Sequence, residues 1–145
     1  MMVVVRPGRA MFGDTTIHSI GDFKKLIAWQ KAHAYVLAVH AAYKGTNTRA
    51  APGMRGQILR AVNSISATLA EGCAKRSRAD LARFADMAYA SAKEVENHLI
   101  TSRDLGILSS NLTADLLRQG DEVSRLCFAL ARPARDSTSA RSRSV

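Results

Sequence analysis

Aromatic residues make up only 6% of these 145 residues, and the chain has just three prolines and two cysteines. Each shortage excludes something. Cys73 and Cys127 are too few for a disulfide framework, and their separation matches no zinc-ligand spacing. Reduced thiols are the expectation. No aromatic platform of the kind that stacks single-stranded bases stands out, and no glycine-rich phosphate loop interrupts the chain. Met1 to Val5 is the apolar start, too short for a signal-peptide core or a membrane span. Nowhere else do about twenty apolar residues follow one another, as a span requires. A cytoplasmic location is expected.

The chemistry of catalysis is equally thin. Helical bundles often hold metals on paired Glu-x-x-His motifs. Here Glu71 stands three residues before Ala74, Glu94 before Asn97, Glu96 before Leu99 and Glu122 before Arg125. Glu94 and His98 lie one turn apart and make half a site. His33 and His40 are seven residues apart with no ligand partner in the pattern. No nucleophile can be joined to a base and an orienting group. The expectation is a non-enzymatic protein with no metal and no cofactor.

Acidic residues are scarce too: 12 Asp and Glu against 21 Lys and Arg, for a formal net charge of +9. Residues 1–22 balance two Arg with two Asp, residues 23–131 set fifteen basic residues against nine acidic, and residues 132–145 set four Arg against one Asp. The excess therefore rides mostly on the part expected to fold, which points to a polyanionic partner. A basic but merely soluble surface is the competing reading.

What is present is helical periodicity. Residues 1–22, with Pro7, Gly8, Gly13 and Gly21, show none and read as an irregular arm. Residues 23–43 form a first helix, apolar on more than one face, with Trp29, Val36 and Tyr43 at heptad spacing as an outward line. A helix buried on two faces suggests a partner subunit. After a turn-rich loop, Ile58, Ala61, Val62, Ile65 and Leu69 mark a second helix, which Gly72 is suited to close in a left-handed conformation. Ser77 can cap a third helix over 78–104, whose stripe is Leu81, Phe84, Ala85, Ala88, Ala92, Val95 and Leu99. Gly106 ends it. A fourth helix, capped by Ser109, Ser110 or Asn111, uses Leu112, Leu116, Val123, Leu126, Cys127 and Leu130, with Gly120 a weak point. Residues 132–145 can bury no face and read as a disordered basic tail. The fold expected is all-α, an antiparallel up-down-up-down four-helix bundle spanning 23–131.

Specific residues carry a resemblance. Gln57, Ile58, Arg60, Ala61, Ser64 and Ile65, then Ala70-Glu71-Gly72, Ser77 and Phe84, then Ala88, Ser91, Glu94, Val95 and Glu96 form one pattern. Phe23, Leu26, Trp29, Gln30 and Ala32 precede it, and Asp104-Leu105-Gly106-Ile107 follow. The pattern resembles the bacterial four-helix-bundle family of 23S rRNA-intervening-sequence proteins and the accessory variability determinants of diversity-generating retroelements. Thr68 stands where many relatives carry Asn. The resemblance implies a ring-like homopentamer. It also implies an accessory role beside a nucleic-acid-processing protein, and a structural polar set in which Arg60 pairs with Glu71 or Glu94.

The remaining cations, Arg55, Lys75, Arg76, Arg78 and Arg83, are the candidate nucleic-acid contacts, since helix-end cations neutralise phosphates without reading sequence. Two functions stand. One is a basic oligomer that binds RNA or DNA as an accessory protein. The other is a structural or protein-interaction oligomer with no nucleic-acid role.

Overall fold

The computed structural model describes residues 21–143, and their side chains except those of 134–138. Most of the expected arm, residues 1–20, lies outside the described residues. Four long helices follow: α1 (Ile27–Tyr43), α2 (Met54–Ala74), α3 (Arg78–Asp104) and α4 (Ser110–Arg143). No strand occurs among the described residues. Helices adjacent in sequence pack side by side, and α1 also packs on α4, which closes a four-helix bundle.

The chain enters through a short 3₁₀ turn, Phe23–Lys25, capped by Asp22, whose Oδ1 accepts from the Lys24 amide at 3.2 Å. Ser77 caps α3 as expected, its hydroxyl accepting from the Asp80 amide at 3.3 Å. Of the three candidates before α4, Ser109 supplies the cap, accepting from the Leu112 amide at 3.2 Å. Gly106, at φ +73°, turns the chain out of α3.

The core is built mostly from the expected stripes, although Leu112, expected on the inner face of α4, is exposed. Ile58, Val62, Ile65 and Leu69 of α2 are fully buried, as are Ala85, Ala88, Val95 and Leu99 of α3 and Cys127 of α4. Small residues dominate α3's inner face, so helix axes come close and glycines become packing residues. Gly72 is one. It is not the left-handed closing residue expected, because α2 runs on to Ala74. The left-handed position is Arg76, at φ +57°. Gly72 instead lets α2 rest on α3: a Cβ there would stand 2.8 Å from the Cβ of Phe84. The absence of a side chain serves contact, not the turn.

Gly120 has a similar role. A Cβ there would lie 2.6 Å from the Tyr35 hydroxyl, which is buried between α1 and α4 with no hydrogen-bond partner. Burial, with Glu96 adding to it, pushes the Tyr35 phenol far above its ordinary pKa. An orphaned buried hydroxyl costs about 1–3 kcal/mol. Tyr35→Phe should therefore raise stability, while Gly120→Ala should lower it and should be partly rescued by Tyr35→Phe. Urea unfolding of the two single variants and the double variant checks this; an additive double variant would separate the two sites.

Two expectations change at the ends of the bundle. Tyr43 does not look outward: it is fully buried and its hydroxyl donates to Ser102 Oγ at 2.5 Å. Trp29 and Val36 are half-buried against the bundle's own core. Trp29 is held edge-on by Phe23 and stacked on His33, each at a ring separation of 4.9 Å. Of the heptad line, Tyr43 is thus turned inward onto α3, while Trp29, flanked by Phe23 of the 3₁₀ turn, and Val36 stay half-exposed. At the other end α4 continues as helix through Pro133 to Arg143, where the sequence suggested a disordered tail from 132. Pro133 removes one helical hydrogen bond without stopping the helix. Arg132, Pro133 and residues 139–143 are all exposed.

Candidate nucleic-acid interface

The cations named from sequence do not form one patch. Arg55 sits at the start of α2 and Lys75 caps its end, so at 1.5 Å per residue roughly 30 Å separates them. At the far end Lys75, Arg76 and Arg78 share the α2–α3 turn, and all three are exposed. Arg76 lies beside the entering chain: a Cβ on Gly21 would be 3.8 Å from its Nε. That brings Lys24 and Lys25 of the 3₁₀ turn to the same end of α2. Arg83 is less available. It pairs with Asp80 at 2.8 Å, and its guanidinium carbon sits 5.8 Å from the Phe84 ring centre.

The left-handed Arg76 has a practical consequence. Non-glycine residues there cost about 1–2 kcal/mol, so Arg76→Gly removes a charge from the turn while relieving its backbone. We expect an unchanged or higher Tm by calorimetry. A loss of more than a few degrees would mean that the Arg76 side chain contributes more than its backbone costs.

The structural polar set is not assembled. Arg60, Glu71 and Glu94 are each exposed, and none pairs with another. Glu94 instead meets His98, Oε1 to Nε2 at 3.4 Å. Among the described residues no group of three or more His, Cys, Asp or Glu could hold a metal. Burial raises both thiols, Cys127 to about 12, which suits packing rather than nucleophilic chemistry.

What sequence reasoning missed is the distribution of acids. Between Asp22 and Glu71 there is no Asp or Glu, while Lys24, Lys25, Lys31, Lys44, Arg49, Arg55 and Arg60 fall there. From 71 to 131 eight basic residues face nine acidic ones. The bundle's entire excess charge therefore rides on residues 23–70, where the 3₁₀ turn holds Lys24 and Lys25, α1 holds Lys31, the loop after it holds Lys44 and Arg49, and α2 holds Arg55 and Arg60. Placement sharpens the contrast. On α3 and α4, Lys93 pairs with Glu96, Arg103 with Asp104, Arg118 with Asp115 and Arg125 with Asp121. On α1 and α2 only Lys31 has such a partner among the described residues, Glu122 at 3.2 Å. One half of the bundle is self-neutralised and the other is an uncompensated cationic face.

The model of the family described as 23S rRNA-intervening sequence protein matches residues 24–129. The chain belongs to that family. The match spans all four helices and stops short of Pro133, so the intervening-sequence-protein bundle is the part that carries the family's pattern. No curated protein matches the chain. No helix among the described residues of this intervening-sequence protein is long and apolar enough to cross a membrane.

Proposed function

We propose that this protein is a non-enzymatic, cytoplasmic, oligomeric accessory protein that binds structured RNA or DNA through the acid-free half of its bundle, residues 23–70. The single observation that carries the reading is that half's uncompensated charge, seven cations with one ion pair among the described residues. Phosphate neutralisation needs free cations on a rigid support, and counterion release then supplies sequence-independent affinity. The family's link to 23S rRNA intervening sequences adds weight to an RNA partner. Filter binding of structured RNA and duplex DNA across salt tests it: affinity that falls steeply with salt supports the reading, and none at low salt refutes it.

The bundle is read as antiparallel, up-down-up-down, since short loops join helices that pack side by side. The assembly is read as a homopentamer from the resemblance alone. With Tyr43 buried and Trp29 and Val36 half-buried, the outward apolar line of α1 is Ile27, Ala34, Leu37 and Ala41; Ile27 and Leu37 are 40% and 58% exposed. A second copy covering that line would remove both from water. Light scattering should then give a multiple of the 15.7 kDa protomer, and Ile27→Glu with Leu37→Glu should yield folded monomers. A monomeric parent at micromolar concentration would end the oligomer reading.

Should nucleic acid fail to bind while assembly persists, the second reading takes over: a structural or protein-interaction oligomer, with α1's exposed Ile27 and Leu37 as the feature favouring it.

A further inference from the structure

At the end of the bundle remote from the basic turn, α1, the following loop and α2 enclose an open cleft of about 480 Å³. That lies within the roughly 300–1,000 Å³ of small-ligand sites. His40, Lys44 and Arg55 line it, over an apolar base of Ala41 and Leu59. No carboxylate lines it. None of the ion pairs among the described residues involves these three side chains. The contrast is a smaller cleft at Tyr89 and Phe128, whose cations Lys93 and Arg125 are already paired with Glu96 and Asp121.

Two of the three side chains are held in place. Arg55 Nη2 donates to the carbonyl oxygen and, at 3.2 Å, to the hydroxyl of Thr46. Its Nε is buried with no partner, which leaves the Nη1 hydrogens as the guanidinium's donors toward a ligand. His40 Nε2 is fixed against Asn63 Oδ1 at 2.9 Å. Lys44 completes the set from the helix end, where α1 gives way to the loop. A tethered guanidinium with idle donors, an ammonium and an imidazole, with no acid among them, describe the complement of an oxyanion.

The geometry points to a phosphate-binding site in this cleft, with Lys44 and Arg55 as its contacts and His40 as a wall fixed by Asn63. A phosphate group offers several acceptor oxygens and a charge that the cleft leaves unbalanced. It goes beyond the nucleic-acid reading, because free phosphate and a nucleic-acid phosphate present the same chemistry and only one source involves a polymer.

Calorimetric titration of the full-length protein with inorganic phosphate, at constant ionic strength and against chloride, is the test. We expect saturable binding that weakens about tenfold in Lys44→Gln, the loss of one charge-assisted hydrogen bond. Arg55→Lys should weaken it too, because the charge stays and the fork goes. Lys75→Gln, at the other end of α2, should leave it unchanged. Circular dichroism of each variant guards against unfolding. Phosphate no better than chloride, or undiminished in both cleft variants, would overturn the site. A short RNA with and without a 5′-phosphate separates the sources. Phosphate-dependent RNA binding that inorganic phosphate displaces makes the nucleic acid the occupant. RNA binding unaffected by phosphate assigns the cleft to the free ion and leaves the nucleic-acid reading to the rest of the cationic face. Phosphate binding without RNA binding keeps the cleft and removes that reading.

Discussion

Gly72→Val should cost the fold about 3 kcal/mol or more, the largest effect expected of any single substitution in the bundle. The position is fully enclosed between α2 and α3. An added Cβ meets the Phe84 Cβ at 2.8 Å and Leu81 Cδ1 at 3.3 Å. The first of these atoms is fixed to backbone, so it cannot swing aside as a side-chain tip would. Relief requires the two helices to part, which uncovers Leu69 and Leu81, both buried now. Gly72→Ala makes the same clash with one carbon but regains about 1 kcal/mol of helix propensity. It should therefore be damaging but milder. Denaturant midpoints of the two variants, at constant m, measure the difference. If Ala were neutral and Val mild, the α2–α3 interface would be more yielding than its spacing implies.

This residue also illustrates what the sequence made legible. Periodicity placed the buried faces of α2 and α3 because apolar spacing and helical geometry are the same information. Ser77, Ser109 and Gly106 were readable because caps obey local rules that depend on a few neighbouring residues. Gly72 was read by the same local logic, as a chain terminator, and its actual role depends on Phe84 across an interface. Tyr43 and Gly120 were hidden in the same way: a tyrosine at heptad spacing does not announce that Ser102, 59 residues on, will accept its hydroxyl. The cationic face is a different case. The acid-free stretch after Asp22 is plain in the sequence, but net charge summed over the whole bundle conceals it. Dividing the charge at Glu71 would have moved attention from the α2–α3 turn to residues 23–70. That Arg55 and Lys75 face opposite ends of one helix follows from counting residues; that Arg83 is engaged with Asp80 does not.

Replacing Lys24, Lys25, Lys44, Arg49 and Arg60 together by Gln should abolish most nucleic-acid affinity, on the order of a thousandfold at ~0.1 M salt. These five have no carboxylate partner among the described residues. Their removal therefore breaks no ion pair seen there, and helicity should survive. Each phosphate contact contributes roughly 0.9 to the slope of log affinity against log salt on duplex DNA, and roughly 0.7 on single strands. If all five take part, the slope should flatten by about four. The α4 extension must first be removed after Arg132, because Arg135, Arg141 and Arg143 would bind polyanions on their own. Lys75, Arg76 and Arg78 changed to Gln provide the comparison. Lys24 and Lys25 adjoin that turn, so the two variants should be additive if they form one continuous surface and redundant if only one end makes contact. Repetition of the face around an oligomer would magnify either loss, since linked weak contacts multiply through effective concentration. A five-residue variant that keeps both affinity and slope would deprive the cationic face of its role.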